Sequence, residues 1–351
     1  MRILLVTTMR NEGPFLLEWI AHHLGAGVTD ILVFSNDCDD GTDALLDLLA
    51  QAGVVVHIPQ MVAPGESPQW QALRTAWRHP LRKACDWALV LDCDEFLNIH
   101  AEGSTIPDLL AALPEGADAM TLPWRLFGNS GRMRFEEGAT TAQFMASAPP
   151  DCPYPVAATL FKSLFRLRGP FNQFGVHRPR QKTRAEAATP VWVDGSGKPL
   201  HPAFAANPQR LSLLGLSQGR ALAECNHYSL RSAESFMVKR ARGLPNHSDK
   251  AIDLGYWVER NFNTVENRSI ARMAPATAQA LEQLWSIPGL RAAHETAVAR
   301  HRARFLTLMA LRDEQRLFAQ IAVTGDSRIP ATDTIQQILG WYRQIIADQN
   351  R

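Results

Sequence analysis

Two aspartates one residue apart, Asp92 and Asp94, close the apolar run Trp87-Ala-Leu-Val-Leu, and Glu95 follows them directly. Apolar residues that end abruptly in three carboxylates are the pattern of a buried parallel strand whose C-terminal edge opens on a ligand crevice. In an extended segment Asp92 and Asp94 project to one face, and Cys93 and Glu95 to the other. Two convergent carboxylates suit a hard divalent cation, Mn2+ or Mg2+, which bridges diphosphate oxygens and offsets the charge developing on a leaving nucleotide. The plainer alternative is an acidic cap on a strand that solvates a loop. The position after a fourth apolar strand favours the metal-bridged diphosphate.

A second polar cluster, Ser35-Asn36-Asp37-Cys38-Asp39-Asp40-Gly41-Thr42, follows the second strand. Gly41 permits a tight turn and Thr42 can cap the next helix, so the polar residues before them belong at the same crevice edge. They either read a base or ribose or form an Asx-rich turn without a ligand. Further on, Lys239, Arg240 and Arg242 occupy about one helical turn, with Lys239 and Arg242 at i and i+3. They are a clamp on a diphosphate or an ordinary solvated helix face. Trp124, before Phe127-Gly128-Asn129, either stacks on a sugar face or packs a rim.

Positioning such groups takes a parallel sheet with crossover helices, and the first hundred residues alternate accordingly. Strands are expected at Arg2 to Thr7, Asp30 to Ser35, Val54 to Ile58 and Trp87 to Asp92. Helices are expected after Pro14, from Thr42, and from Gln69 to Ala84. Residues 116–194 read as a less regular, partly antiparallel half, with strands near Ala119 to Pro123, Leu160 to Leu167 and Val191 to Val193. After about Pro208 helices dominate, with amphipathic stretches at Thr277 to Trp285 and Arg291 to Leu311. The division expected is a nucleotide-sugar-binding domain over 1–205 and a helical extension over 206–351 that completes the site.

The 351 residues are 46% hydrophobic and 20% charged, with 36 Lys and Arg against 35 Asp and Glu. No global field recruits nucleic acid, so any polyanion site is local. Five cysteines without metal or CxxC spacing point to reduced thiols and a cytoplasmic location. No apolar run reaches the length of a membrane span, which leaves peripheral membrane contact open.

The segments Met9-Arg10-Asn11-Glu12-Gly13-Pro14-Phe15-Leu16-Leu17-Glu18-Trp19-Ile20, the Asp-rich turn and the DxD triplet together resemble the family 2 glycosyltransferases. The likeness covers about Arg2 to Leu97 and continues more thinly through Trp124-Arg-Leu-Phe-Gly128, Gly175-Val-His177-Arg-Pro179 and Asn226-His227-Tyr228. It implies the GT-A fold: a Rossmann-like α/β mixed sheet of the nucleotide-diphosphosugar transferases, here with a C-terminal helical extension. It also implies a metal-dependent, inverting transfer of a sugar from a nucleoside-diphosphate sugar, with a UDP-sugar as expected donor, to a glycan or other hydroxyl acceptor in polysaccharide assembly.

Carried over residue by residue, the resemblance puts Thr8, Arg10, Glu12, Asn36 and Asp37 around the base, and Asp92 and Asp94 at ribose and cation. His227 becomes the third metal ligand beside Asp92 and Asp94; on the clamp reading of their helix spacing, Lys239 and Arg242 would lie on the diphosphate. His177 and Trp124 fall on the acceptor side. The family's Glu-Asp pair, source of the catalytic base, has no counterpart here. Glu136, Glu137 and Asp151 are the acidic residues of that region, and Glu137 and Asp151 join Asp94 as the expected catalytic residues. The rival readings are a sugar nucleotidyltransferase, a non-catalytic nucleotide-sugar-binding protein and, more weakly, a metal-dependent hydrolase.

Overall fold

The computed structural model of the chain describes residues 1–63, 65–181, 189–243 and 252–349. The first half builds the expected parallel layer. Strands β1 (Ile3–Met9), β2 (Asp30–Ser35), β3 (Val56–Pro59) and β4 (Trp87–Val90) alternate with helices α1 (Gly13–Gly25), α2 (Thr42–Gln51) and α3 (Pro68–Arg78). Both faces of β1, β2 and β4 are buried, whereas the edge strand β3 is not: Ile3 and Leu5 enter one apolar cluster with Trp19 and Ile20, and Leu4 and Val6 enter another with Phe34 and Phe165. That two-sided burial is why they read as continuous apolar runs.

Several boundaries shift by a few residues, and two of the differences matter most. The helix expected over Gln69 to Ala84 is broken at His79, where Pro80 begins a separate turn, Pro80–Ala84; proline disfavours helical backbone in the residue before it. More important for the site, the strand expected to reach Asp92 stops at Val90. Residues Asp92 to Glu95 form a turn, closed by Glu95 N–H donating to Asp92 O at 3.0 Å and Asp92 N–H donating to Glu95 Oε2 at 2.8 Å. The two aspartates are therefore not neighbours on one face of a strand.

Five further strands complete a nine-stranded mixed sheet: β5 (Glu95–Ile99), β6 (Ala119–Leu126), β7 (Phe161–Arg166), β8 (Trp192–Val193) and β9 (Ala223–His227). The order is β3-β2-β1-β4-β7-β6-β9-β5, with β8 beside β6. Strand β7 runs antiparallel between β4 and β6, while β9 lies parallel to β6 and antiparallel to β5. Strand β9 comes after residue 206, yet it sits inside the sheet and not in an appendage.

After β9 the chain is mainly helical, as expected, apart from the short strand Val265–Glu266, which pairs with Ala146–Ser147: α4 (Ala233–Arg242), α5 (Leu254–Val258), α6 (Ala274–Trp285), α7 (Leu290–Leu308), α8 (Arg312–Thr324) and α9 (Thr332–Gln349). Two of them, α6 and α7, pack on α1 of the sheet domain through small residues. A Cβ placed on Gly25 of α1 would come within 2.9 Å of the Ala276 backbone in α6, and one on Gly13 within 2.6 Å of Ala297 Cβ in α7. Phe236, Trp257, Leu308, Leu317 and Ile321 form a separate apolar cluster that ties α4, α5, α7 and α8 together. No helix among the described residues is long and apolar enough to cross a membrane.

Candidate functional site

A cavity of about 240 Å³ opens where the C-terminal ends of the parallel strands meet α4 and α5. Thr8, Arg10 and Glu12 enter it from the end of β1, and Asn36 from the end of β2. The turn after β4 contributes Asp92, Cys93 and Asp94. Trp124 of β6, His177 and His227 at the end of β9 form the opposite wall, and Lys239, Arg242, Tyr256 and Arg260 close the side made by α4 and α5. Eleven of the fourteen residues singled out by the sequence thus share one cavity: Thr8, Arg10, Glu12, Asn36, Asp92, Asp94, Trp124, His177, His227, Lys239 and Arg242.

The other three do not line it. Asp37 is exposed, with backbone φ of 48° and its Oδ2 taken by Asn36 Nδ2 at 3.0 Å. Glu137 is half exposed and pairs with Arg302 on α7 at 2.7 Å. Asp151 lies exposed in a turn. Neither expected base lines the cavity.

The opening motif and the Asp-rich turn hold one another. Asn11 Nδ2 donates to Asp39 Oδ1 at 2.6 Å, Gly13 N–H to Asp40 Oδ2 at 2.9 Å, and Glu12 N–H to Thr42 Oγ1 at 2.9 Å. Asp40 Oδ1 in turn accepts Thr42 N–H at 2.8 Å and Thr42 Oγ1–H at 2.6 Å. Gly41, at φ 101°, makes the turn that lets Asp40 reach back. Thr42 is the first residue of α2 instead of its cap. Most of the cluster's polarity is spent on fixing the N-terminus of α1, which leaves Asn36 and Thr8 for the cavity. Thr8 Oγ1 is buried there without a protein partner.

Each cavity carboxylate is matched by a buried cation. Glu12 meets Arg231 Nη1 at 3.1 Å and also pairs with Arg242, whose Nη1 bonds to Arg10 O and to Asn11 O. Asp92 accepts Lys162 Nζ at 3.1 Å and Gln69 Nε2 at 2.9 Å; Lys162, fully buried, lies 2.9 Å from Glu95 Oε2 as well. Asp94 Oδ2 accepts Lys239 Nζ at 2.6 Å, and Asp94 Oδ1 lies 3.6 Å from His227 Nε2. Lys239 and Arg242 are therefore not a solvated helix face.

Burial by itself would raise the Asp94 carboxyl, but Lys239, His227 and Arg231 hold it well below the usual carboxylate range. Burial pushes the His227 imidazole down against the pull of Asp94. Burial and the Lys162 charge bring His177 down to about 4. Its Nδ1 lies 3.0 Å from Phe161 O, a pure acceptor, so Nδ1 carries the proton and Nε2 offers a lone pair.

The expected three-ligand metal set is not assembled. Among the described residues no group of three His, Cys, Asp or Glu could hold a metal ion. Asp92 is drawn to Lys162 and Gln69 by the turn that ends β4, away from Asp94. Asp94 Oδ1 and His227 Nε2 remain, and their separation fits two donors each about 2.1 Å from one divalent ion. His227 Nδ1, which in metal sites ordinarily donates to an acceptor, is buried without one. The ring is held instead by Trp124, whose centroid is 4.1 Å away. Trp124 also packs against His177 at 5.2 Å, so its ring is a spacer between the two histidines.

Lys162, Arg231, Tyr256 and Arg260 were not anticipated. Only Lys162 carried a signal, as a single cation inside the apolar strand Phe161-Lys-Ser-Leu-Phe165.

No protein-family model matches the chain. It is 31% identical over 153 residues to a glycosyltransferase family 92 protein of Oryza sativa subsp. japonica, which covers 41% of this chain and 25% of that protein. A glycosyltransferase family 92 protein of Ricinus communis is 30% identical over 96 residues, 26% of this chain and 16% of that protein. The chain thus spans a quarter or less of the length of these curated relatives. Among solved structures, residues 1–349 of S. aureus TarS align with a TM-score of 0.35 and 14% identity over 88% of this chain and 92% of that one. Glucosyl-3-phosphoglycerate synthase from Mycobacterium tuberculosis, in complex with Mn2+, uridine-diphosphate and glucosyl-3-phosphoglycerate, aligns with a TM-score of 0.23 and 18% identity over 35% of this chain and 44% of that one.

Proposed function

We propose that the chain is an inverting glycosyltransferase that takes a sugar from a nucleoside-diphosphate sugar, with a UDP-sugar as donor and Mn2+ or Mg2+ as cofactor. The observation that carries the reading is the Asp94–His227 pair, 3.6 Å apart in a cavity at the C-terminal edge of a parallel layer. Open α/β sheets bind their ligands at that edge. The glycosyltransferase names of the relatives matched by up to 41% of the chain support it.

In this reading Asp94 Oδ1 and His227 Nε2 would hold the divalent ion, a set of few protein ligands of the kind hard cations accept beside a phosphate substrate. When bound, the ion offsets the charge on the departing diphosphate. Thr8, Arg10 and Asn36 take the nucleotide end over β1 and β2, with Asp92 at the ribose. Lys239 and Arg242 face the diphosphate from α4, where pre-placed cations stabilise developing charge without reorganisation. At the other end, His177 Nε2 accepts the proton of the attacking acceptor hydroxyl, since its ring is neutral near pH 7 and its Nδ1 proton is held by Phe161 O, which leaves the Nε2 lone pair as the base. Attack from the face opposite the diphosphate inverts the anomeric carbon.

The test is release of UDP from a panel of UDP-sugars with Mn2+ present and with chelator. Metal-dependent release is expected. Full activity in chelator removes the metal from the reading, and tight binding of UDP with Mn2+ without turnover on any donor favours a non-catalytic binding protein.

A further inference from the structure

Donor chemistry leaves one cavity cation unused. Arg260, which follows α5, is 6% exposed and lines the cavity on the side made by α4 and α5, within electrostatic reach of His227. Its guanidinium rests on Tyr256, with Cζ 3.8 Å from the ring centroid. Its Nη1 donates to Tyr256 O at 3.4 Å and to Glu259 Oε2 at 3.0 Å. Glu259 is 48% exposed, so solvent screens that pair. Among the described residues the guanidinium's Nε is buried without a partner.

Charge matching sets the same residue apart, because its carboxylate partner is half exposed while those of the α4 cations are buried. Lys239 is matched by Asp94 and Arg242 by Glu12, while Asp92 is matched by Lys162 from outside the cavity lining. Arg10, beside β1, belongs to the nucleotide end. A divalent ion and a dianionic diphosphate cancel one another, so donor binding supplies nothing for Arg260. A buried guanidinium with idle donors costs stability until an anion meets it.

Resting on the donor reading, we propose that Arg260 recognises an anionic group, a phosphate or carboxylate, carried by the acceptor near the hydroxyl that is glycosylated. The planar fork over Tyr256 presents paired N–H donors of the kind that bind such groups bidentately.

The experiment has two calorimetric titrations. UDP with Mn2+ is titrated into the wild-type chain, Arg260→Gln and Arg260→Lys, and each saturated protein is then titrated with glycerol 3-phosphate and, separately, with glycerol. The expected result is equal UDP affinity in all three proteins and saturable binding of glycerol 3-phosphate but not glycerol. That binding weakens about tenfold or more in Arg260→Gln and less in Arg260→Lys. If the glutamine variant fails to fold, reduced glycerol 3-phosphate affinity with intact UDP binding in the lysine variant decides the matter. Equal binding of glycerol, or undiminished binding in the variants, overturns the proposal. So does a parallel loss of UDP affinity, which assigns Arg260 to the donor diphosphate. Turnover only of a nucleotide-uronate donor with neutral acceptors, lost in Arg260→Gln, moves the anion to the transferred sugar and also overturns it. A wild-type chain that binds no UDP with Mn2+ overturns the donor reading itself, which the first titration shows separately.

Discussion

Asp94 lies between two groups with different demands: Lys239 Nζ holds one carboxylate oxygen at 2.6 Å, and His227 Nε2 stands 3.6 Å from the other. A charge-assisted hydrogen bond and a second donor at metal-ligand spacing share one buried carboxylate. If that oxygen binds the ion, Asp94→Asn lowers the Mn2+-dependent affinity for UDP by about 100-fold or more, beyond the usual effect of an outer-shell change. Titration of UDP with Mn2+ checks it; an unchanged affinity removes Asp94 from the metal.

Lys239→Met leaves the Asp94 charge buried with a neutral imidazole beside it. Breaking a buried pair on one side costs about 3–5 kcal/mol. Added Mn2+ is expected to restore part of the loss, because the ion replaces the missing positive charge and binds the folded state. Urea unfolding with and without Mn2+ measures both; a loss that Mn2+ leaves untouched contradicts the site.

Glu12 is paired with two arginines, so Glu12→Gln strands two buried guanidinium groups where most substitutions strand none. The expected cost is about 3 kcal/mol or more. Glu137→Gln, which breaks a half-exposed pair with Arg302, is expected to cost about 0.5 kcal/mol or less. Equal effects in the two variants would mean the buried triad adds nothing to the surface pair.

With His177 as base, His177→Ala lowers kcat about 100-fold or more while UDP affinity stays. Glu137→Gln and Asp151→Asn keep kcat. Collapse of kcat in either carboxylate variant, with His177→Ala active, returns the base to the middle of the sequence.

Buried histidines set the acid limit of the fold. Burial brings His22 and His177 down to about 4 and His301 down to about 3, from an ordinary value of 6.5. Between pH 6.5 and 4 the unfolded chain binds protons that the folded chain refuses, so stability rises with pH across that window and is lost as pH falls through it. Glu224, whose burial is outweighed by His100 and Arg220 and which lies at about 2, keeps its contribution until lower pH. Melting temperature is expected to fall steadily from pH 6.5 to 4, and His22→Gln, which keeps a donor for Leu97 O, should flatten the slope. A flat profile over that range excludes this account.

The sequence by itself determined the parallel half of the sheet and most of the cavity lining. Apolar runs at strand length, followed by Thr8 to Glu12, Asn36 and Asp92 to Asp94, are local patterns, and the edge at which parallel strands end is shared by all of them. It also showed that Lys239 and Arg242 fall on one side of a helix, because i and i+3 are neighbours whatever lies opposite.

Tertiary structure decided the partners. Lys239 reaches Asp94 across 145 residues of chain and Arg231 reaches Glu12 across 219, distances over which periodicity carries no information. It decided too that the DxD segment is a turn: Lys162, from a strand inserted antiparallel beside β4, draws Asp92 aside and leaves Asp94 to His227. Glu137 and Asp151 were chosen by region alone, and folding carried both to the surface. Which charges are buried together, and hence which groups are neutral, paired or free to act, depends on the dielectric and contacts of the packed chain, which no local pattern encodes.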